Sequence, residues 1–341
     1  MIRSPERRSG LSFAAAFALS LLAACSDPGG TVRARDRVAP PEASTVADLL
    51  ALDRPIVIAH AGGDFEAPHS TLFAYTEAAL RGVDVLELDV MLTADRVLVV
   101  QHDDTVDRTT EASGPVRERT FAELRKLDNA YWFSGGTWRD HDLPDEAYVY
   151  RAMRSGAVPP APGYTPDDFA VPSFREVAEA FPDHVLDVEI KVPRDASGEP
   201  DLPWAIEAAG VLAAEIAALG RTDSVIVVSF DVDALAAFRR RAPEVATSPG
   251  LATLVDWYVG QPVTFAPTDV VFQVPPVYEG VEVLTPDVVA RAKAEGFAVW
   301  AWMDDTDQEN ATFFADLLDR GVDGLLVARP SVALEVLAGR D

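Results

Sequence analysis

Short apolar runs of strand character alternate with stretches of helical period from residue 56 onward, and this alternation restricts the fold more than any other feature of the chain. Residues 56–60, 83–92, 96–102, 185–192, 225–230, 247–251, 270–274, 298–303 and 324–327 read as strands. Residues 72–81, 174–180, 204–219, 232–241, 286–295 and 308–320 read as helices between them. Roughly eight strands with intervening helices over about 290 residues is the rhythm of a TIM (β/α)8 barrel. A doubly wound open sheet is the rival, but no glycine-rich phosphate loop opens a helix after the first strand. The barrel is assigned to residues 51–341, and a hydrophobic content of 48% is enough to fill it. An insertion at about 128–170 interrupts the rhythm. Its aromatics Tyr131, Trp132, Phe133, Trp138, Tyr148, Tyr150 and Tyr164 either line a substrate mouth or form a small core of their own.

The N-terminus carries a separate signal. Arg3, Arg7 and Arg8 precede an apolar run from Leu11 to Ala24, which is too short to span a bilayer and ends at the only cysteine, Cys25. A lone cysteine makes no internal disulfide, and Leu22-Ala23-Ala24-Cys25 resembles a lipobox. The expectation is a lipoprotein signal peptide over residues 1–24 and lipidation at Cys25, giving an exported bacterial lipoprotein anchored to a membrane by lipid. Residues 25–50 are rich in Pro, Ala and Arg without an apolar period and are read as a flexible tether.

In a barrel, polar residues that close a strand at its C-terminal end sit at the active face. The first strand ends in His60, followed by Ala61-Gly62-Gly63. In Asp84-Val85-Leu86-Glu87-Leu88-Asp89-Val90, the period of two puts Glu87 and Asp89 on one face. Either these carboxylates form ion pairs on an exposed strand, or they hold a hard divalent cation, Ca²⁺ or Mg²⁺. The strand through Val100 ends in His102-Asp103, so two histidines bracket the acidic pair, as a general acid and a general base would. Leu186-Asp187-Val188-Glu189-Ile190-Lys191 repeats the alternation, with Asp187, Glu189 and Lys191 on one face. Glu189 can complete the cation cluster and Lys191 can meet a phosphate oxygen, or the two form a simple ion pair.

These residues resemble the glycerophosphodiester phosphodiesterases, relatives of the phosphatidylinositol-specific phospholipase C barrels. The resemblance runs from about Arg54 to Pro330, outside the insertion. It is carried by His60 with its glycines, the Ala67-Pro68 to Thr71 turn, Glu87-Leu88-Asp89, His102-Asp103 and Arg108-Thr109-Thr110 with Gly114. Pro172-Ser173-Phe174, Glu189-Ile190-Lys191, Ser229-Phe230-Asp231, Trp302, Gly321-Val322-Asp323-Gly324 and Arg329-Pro330 continue it in order. It implies a barrel with His60 and His102 as acid and base, Glu87, Asp89 and Glu189 as ligands of Ca²⁺ or Mg²⁺, Lys191 on the phosphoryl charge and Trp302 against the glycerol. It also implies hydrolysis of glycerophosphodiesters to sn-glycerol 3-phosphate and an alcohol.

Two positions depart from the family pattern. Ala61 stands where an arginine usually follows the first histidine, and His69 stands where the turn usually carries an acid, so His69 becomes a substrate-binding candidate and Arg108 or Arg151 a source of the missing guanidinium. A lipid phosphodiester such as a lysophospholipid is the alternative substrate, and a non-catalytic binding barrel is the alternative class. A formal charge of −26 excludes nucleic acid as the expected partner. It also gives an anionic substrate reason to require a cation at the site.

Overall fold

The structure is a computed structural model that describes residues 32–136 and 140–340. Cys25, the signal peptide and Trp138 lie outside the described residues.

In chain order, α1 (Val46–Leu50) precedes β1 (Ile56–Ala59), α2 (Leu72–Arg81), β2 (Val85–Leu92), β3 (Leu98–Val100) and the short α3 (Phe121–Leu124). There follow α4 (Phe174–Ala180), β4 (Val185–Ile190), α5 (Leu202–Leu219), β5 (Val225–Val228), α6 (Val232–Arg241), β6 (Ala246–Thr247) and α7 (Leu251–Tyr258). The chain ends with β7 (Val271–Val274), a hairpin of β8 (Val277–Tyr278) and β9 (Val281–Glu282), α8 (Pro286–Ala294), β10 (Ala298–Trp302), α9 (Ala311–Asp319), β11 (Gly324–Val327) and α10 (Pro330–Ala338). Eight parallel strands run in the order β6-β5-β4-β2-β1-β11-β10-β7. The ends of that row meet through a parallel bridge between Thr247 and Asp269, where Thr247 N donates to Thr268 O and Val270 N to Thr247 O. The result is the expected TIM barrel.

Parallel strands covered on both faces need continuous apolar runs, which Ile56-Val57-Ile58-Ala59 and Val225-Ile226-Val227-Val228 supply. Ile56, Ile58, Val85, Val185, Ile226, Val271, Trp300 and Leu326 fill the barrel interior, while the alternate side chains pack beneath the helices. Trp300 fits only because residue 324 is glycine, since a Cβ there would lie 2.7 Å from the indole. Most of the helices start at side-chain caps, including Thr71 on Ala74 N and the reciprocal Ser173–Glu176 box.

Two expectations change. Residues 96–102 do not form a barrel strand: β3 folds back antiparallel on β2, pairing Val90 with Val100 and Leu92 with Leu98. Residues 32–50 are not a free tether. Ala43, Val46 and Leu49 join the interior cluster, Val46 N bonds Asp223 O, and Ala34 N bonds Gly163 O in the insertion. Three widely spaced apolar residues give too faint a period to register in the sequence, yet burying Val46 and Leu49 is worth about 1.5–3 kcal/mol each. Of the two readings of the insertion's aromatics, the small core holds for Tyr150 and Tyr164, which with Phe169 pack on Phe73 of α2 at centroid distances of 4.9, 4.7 and 4.8 Å.

Candidate active site

His60 leaves the end of β1 into a tight turn in which Ala61, Gly62 and Gly63 all have positive φ. Gly62 is required there twice over, because its φ is +86° and a Cβ would lie 2.9 Å from the Ala74 side chain. The turn aims the Ala61 N–H at Glu87, which accepts it at Oε2 over 2.7 Å. It also brings Asp64 back beneath His60, so that His60 Nδ1 donates to Asp64 Oδ1 at 3.0 Å. Asp64 is buried.

His102 reaches the same mouth by another route. β2 continues past Asp89 above the barrel rim, turns, and returns as β3, after which Gln101 N donates to Asp89 O and His102 follows. Its Nδ1 donates to Asp103 Oδ1 at 2.7 Å, and Arg108 grips Asp103 through both Nε and Nη2. The two imidazole centroids stand 6.0 Å apart at 75°. Both rings therefore turn Nδ1 toward a carboxylate and leave Nε2 for chemistry.

β2 and β4 pair in parallel with Glu87 opposite Asp187 and Asp89 opposite Glu189. The period of two turns all four carboxylates into the barrel mouth. Lys191 Nζ stands 3.3 Å from Asp89 Oδ1 and 3.1 Å from Glu189 Oε1. Apart from this ion pairing, neither oxygen of buried Asp89 accepts a hydrogen bond. Asp187 is fully buried, with Oδ1 taking a hydrogen bond from Gln273 Nε2 at 2.8 Å across the barrel.

The electrostatics follow from burial and crowding. Burial pulls the His60 imidazolium down, but Asp64, Glu87 and Asp89 outweigh it and leave the group at about 10. Burial raises Asp89, yet Lys191 and the two histidines bring it to about 2. Burial and Asp89 together hold Glu87 well above the usual carboxylate range, and burial raises Glu189 in the same direction. Burial pushes Asp187 up to about 7. For Asp103, burial is outweighed by His102 and Arg108, which hold it far below the ordinary range.

Among the described residues, no three donor side chains stand together at metal-ligand distances. The residues nonetheless fit a hard divalent cation. Glu87, Asp89 and Glu189 offer only oxygen donors, Asp89 keeps two buried oxygens without hydrogen bonds, and an ammonium already occupies the gap between Asp89 and Glu189.

His69 is buried beside the histidines, with Nδ1 on Ser70 Oγ at 3.0 Å. Burial, reinforced by Arg108, lowers its ring to about 3, so it is neutral. With His60, Ala61, Asp64, His102 and Arg108 it lines a cavity of about 20 Å³. Of the two arginines considered for the place of the missing one, Arg108 lies at the site. Arg151 is caged in the insertion by Tyr131, Trp132 and Tyr148 at 4.3, 4.7 and 3.8 Å. Trp302 closes β10 and meets Phe230 at a centroid distance of 6.0 Å. A larger cavity of about 560 Å³ opens beside His60, walled by Asp64, Phe65, Met303, Asp304 and Glu309 among others. Asp64 and Glu309 had no role in the sequence reading; a carboxylate four residues past a histidine, inside a glycine turn, was the available signal for Asp64.

Fold and site define a class: a (β/α)8 barrel with two histidine–aspartate pairs above a grid of carboxylates at its C-terminal mouth. The glycerophosphoryl diester phosphodiesterase family model matches residues 60–332, and the chain belongs to that family. The glycerophosphodiester phosphodiesterase of Bacillus subtilis is 30% identical over 212 residues, 62% of this chain and 64% of that protein. The chain thus aligns with less than two thirds of that relative's length. A glycerophosphoryl diester phosphodiesterase domain from Mycobacterium tuberculosis superposes with a TM-score of 0.61 at 17% identity, covering 85% of this chain and all of that one. An Oleispira antarctica phosphodiesterase, solved with the product sn-glycerol-3-phosphate, gives 0.60 at 21% identity over 84% of this chain and 97% of that one.

Proposed function

We propose that the chain hydrolyses glycerophosphodiesters to sn-glycerol 3-phosphate and an alcohol, with Ca²⁺ or Mg²⁺ bound by Glu87, Asp89 and Glu189. The observation that carries this reading is the pair of imidazoles 6.0 Å apart, each backed by its own aspartate, above the carboxylates of β2 and β4. Family membership and the product-bound neighbour support the substrate class.

The two histidines divide the proton work according to what lies behind them. Asp64 is buried and pairs with His60, which favours the imidazolium and makes His60 the proton donor to the leaving alcohol. The charge of Asp103 is already matched by Arg108, so His102 takes the proton from the attacking oxygen, which is either water or the substrate's own glycerol hydroxyl, the cyclic phosphate formed in the second case then being opened by water. Lys191 offsets charge on the phosphoryl oxygens, and Trp302 packs on the glycerol carbons. A bound cation supplies the Lewis-acid charge that stabilises the transition state. The cavity of about 560 Å³ beside His60 is of a size to take the leaving alcohol.

Lysophospholipid hydrolysis is the second reading. It is favoured by an apolar cavity of about 250 Å³ lined by Leu254, Trp257, Tyr258, Phe272, Tyr278 and Val281. Turnover of glycerophosphocholine against lysophosphatidylcholine separates the two. His60→Ala and His102→Ala should each reduce turnover of the preferred diester by about 10²-fold or more while circular dichroism stays native. A folded variant with full activity removes that histidine from the mechanism.

A further inference from the structure

The proposed chemistry uses three of the four carboxylates on β2 and β4. The fourth, Asp187, has no task in it. Parallel register places Glu87 and Asp187 in one row of the grid and Asp89 and Glu189 in the row above. Among the described residues, Lys191 Nζ ion-pairs with the two carboxylates of the upper row. In the lower row Glu87 has the Ala61 N–H. Asp187 has one donor, Gln273, whose amide reaches across from β7 to Oδ1. Its other oxygen, Oδ2, accepts no hydrogen bond although the residue has no solvent exposure. A carboxylate oxygen in that position is a standing penalty unless positive charge comes to it.

On the reading that Glu87, Asp89 and Glu189 hold a divalent cation, we propose that Asp187 is a fourth carboxylate of that site. It raises cation affinity from the row beneath and ties cation binding to the stability of the barrel. Asp187 costs the cation-free protein stability and returns it when the cation binds. Gln273 moderates this cost by satisfying one oxygen. Its position on β7 links the centre to the opposite wall of the barrel.

Titration calorimetry with CaCl₂ and MgCl₂, and melting curves in EDTA and in saturating cation, test this on the whole protein. Asp187→Asn keeps the shape and the acceptor for Gln273. It should weaken cation binding about tenfold, equivalent to about 1.4 kcal/mol, raise the melting temperature in EDTA and shrink the gain on adding cation. Gln273→Met should act in the opposite direction, lowering the melting temperature in EDTA and enlarging the cation-induced gain. If Asp187→Asn does not fold, the Gln273→Met result decides alone. Unchanged affinity and unchanged gain in Asp187→Asn, or an unchanged gain in Gln273→Met, would overturn the proposal while leaving the three-ligand reading intact. A wild-type protein that binds neither ion, or a Glu189→Gln variant that binds as the wild type does, overturns the three-ligand reading and this proposal with it.

Discussion

Replacing Asp64 with asparagine keeps the side-chain shape and removes the charge facing His60 Nδ1. His60 is pushed up to about 10, with Asp64 the largest upward influence ahead of Glu87 and Asp89. A cation held by Glu87, Asp89 and Glu189 would offset the share from Glu87 and Asp89, which makes Asp64 the support to remove. A buried charge-assisted hydrogen bond is worth about 1.5–3 kcal/mol, or about 1–2 pKa units. A proton donor works only while protonated, so activity falls as pH rises through its pKa. In Asp64→Asn that alkaline fall should begin about 1–2 units lower, so for a diester of an alkyl alcohol kcat should fall about tenfold or more below wild type between about pH 8 and 10 and change little at pH 7. The assay is kcat against pH from 5 to 11 on glycerophosphocholine and on the matching p-nitrophenyl diester. The nitrophenolate leaves without a proton and should lose far less. An unmoved alkaline limb, or equal losses on both substrates, refutes the donor assignment. Stability follows the same linkage. The raised His60 contributes most below pH 6.5 and loses its contribution as pH rises through about 10, while the depressed Asp64 contributes above pH 3.8 and loses it on acidification. The stability gap between wild type and variant should therefore be widest between those two limits.

Two further outcomes follow from geometry. Gly62→Ala puts a side chain at φ +86° and a Cβ 2.9 Å from Ala74; it should cost about 1–3 kcal/mol, read as a lower melting temperature, and an unchanged melt would mean that the turn relaxes. Trp302→Ala should raise KM about tenfold with kcat nearly preserved, the signature of lost uniform binding; a fall in kcat at constant KM would move Trp302 out of substrate binding.

The barrel was legible because parallel strands buried on both faces leave uninterrupted apolar runs, and the carboxylates of β2 and β4 were legible because strand alternation has a fixed period. His102 was found for a partly wrong reason. An antiparallel arm and a barrel strand have the same local pattern, and only the pairing of Val90 with Val100 shows that His102 is delivered by a hairpin. Asp64 had only its spacing from His60 within a glycine turn as a signal, since the contact itself depends on three consecutive left-handed residues that no periodicity reports. The docked segment 32–50 hid behind a composition typical of linkers, because Ala43, Val46 and Leu49 gain their meaning from the open floor of the barrel. The ion pairing of Lys191 depends on Asp89 of a neighbouring strand, so β4 alone suggested a phosphate ligand as readily as a counter-ion.

The central claim is that this site hydrolyses a glycerophosphodiester with a divalent cation. Incubating the protein with glycerophosphocholine in Ca²⁺, in Mg²⁺ and in EDTA, and quantifying sn-glycerol 3-phosphate and choline, addresses it directly. The account predicts equal amounts of both products with at least one cation and loss of both in EDTA; no turnover with either ion, or full turnover in EDTA, would contradict it.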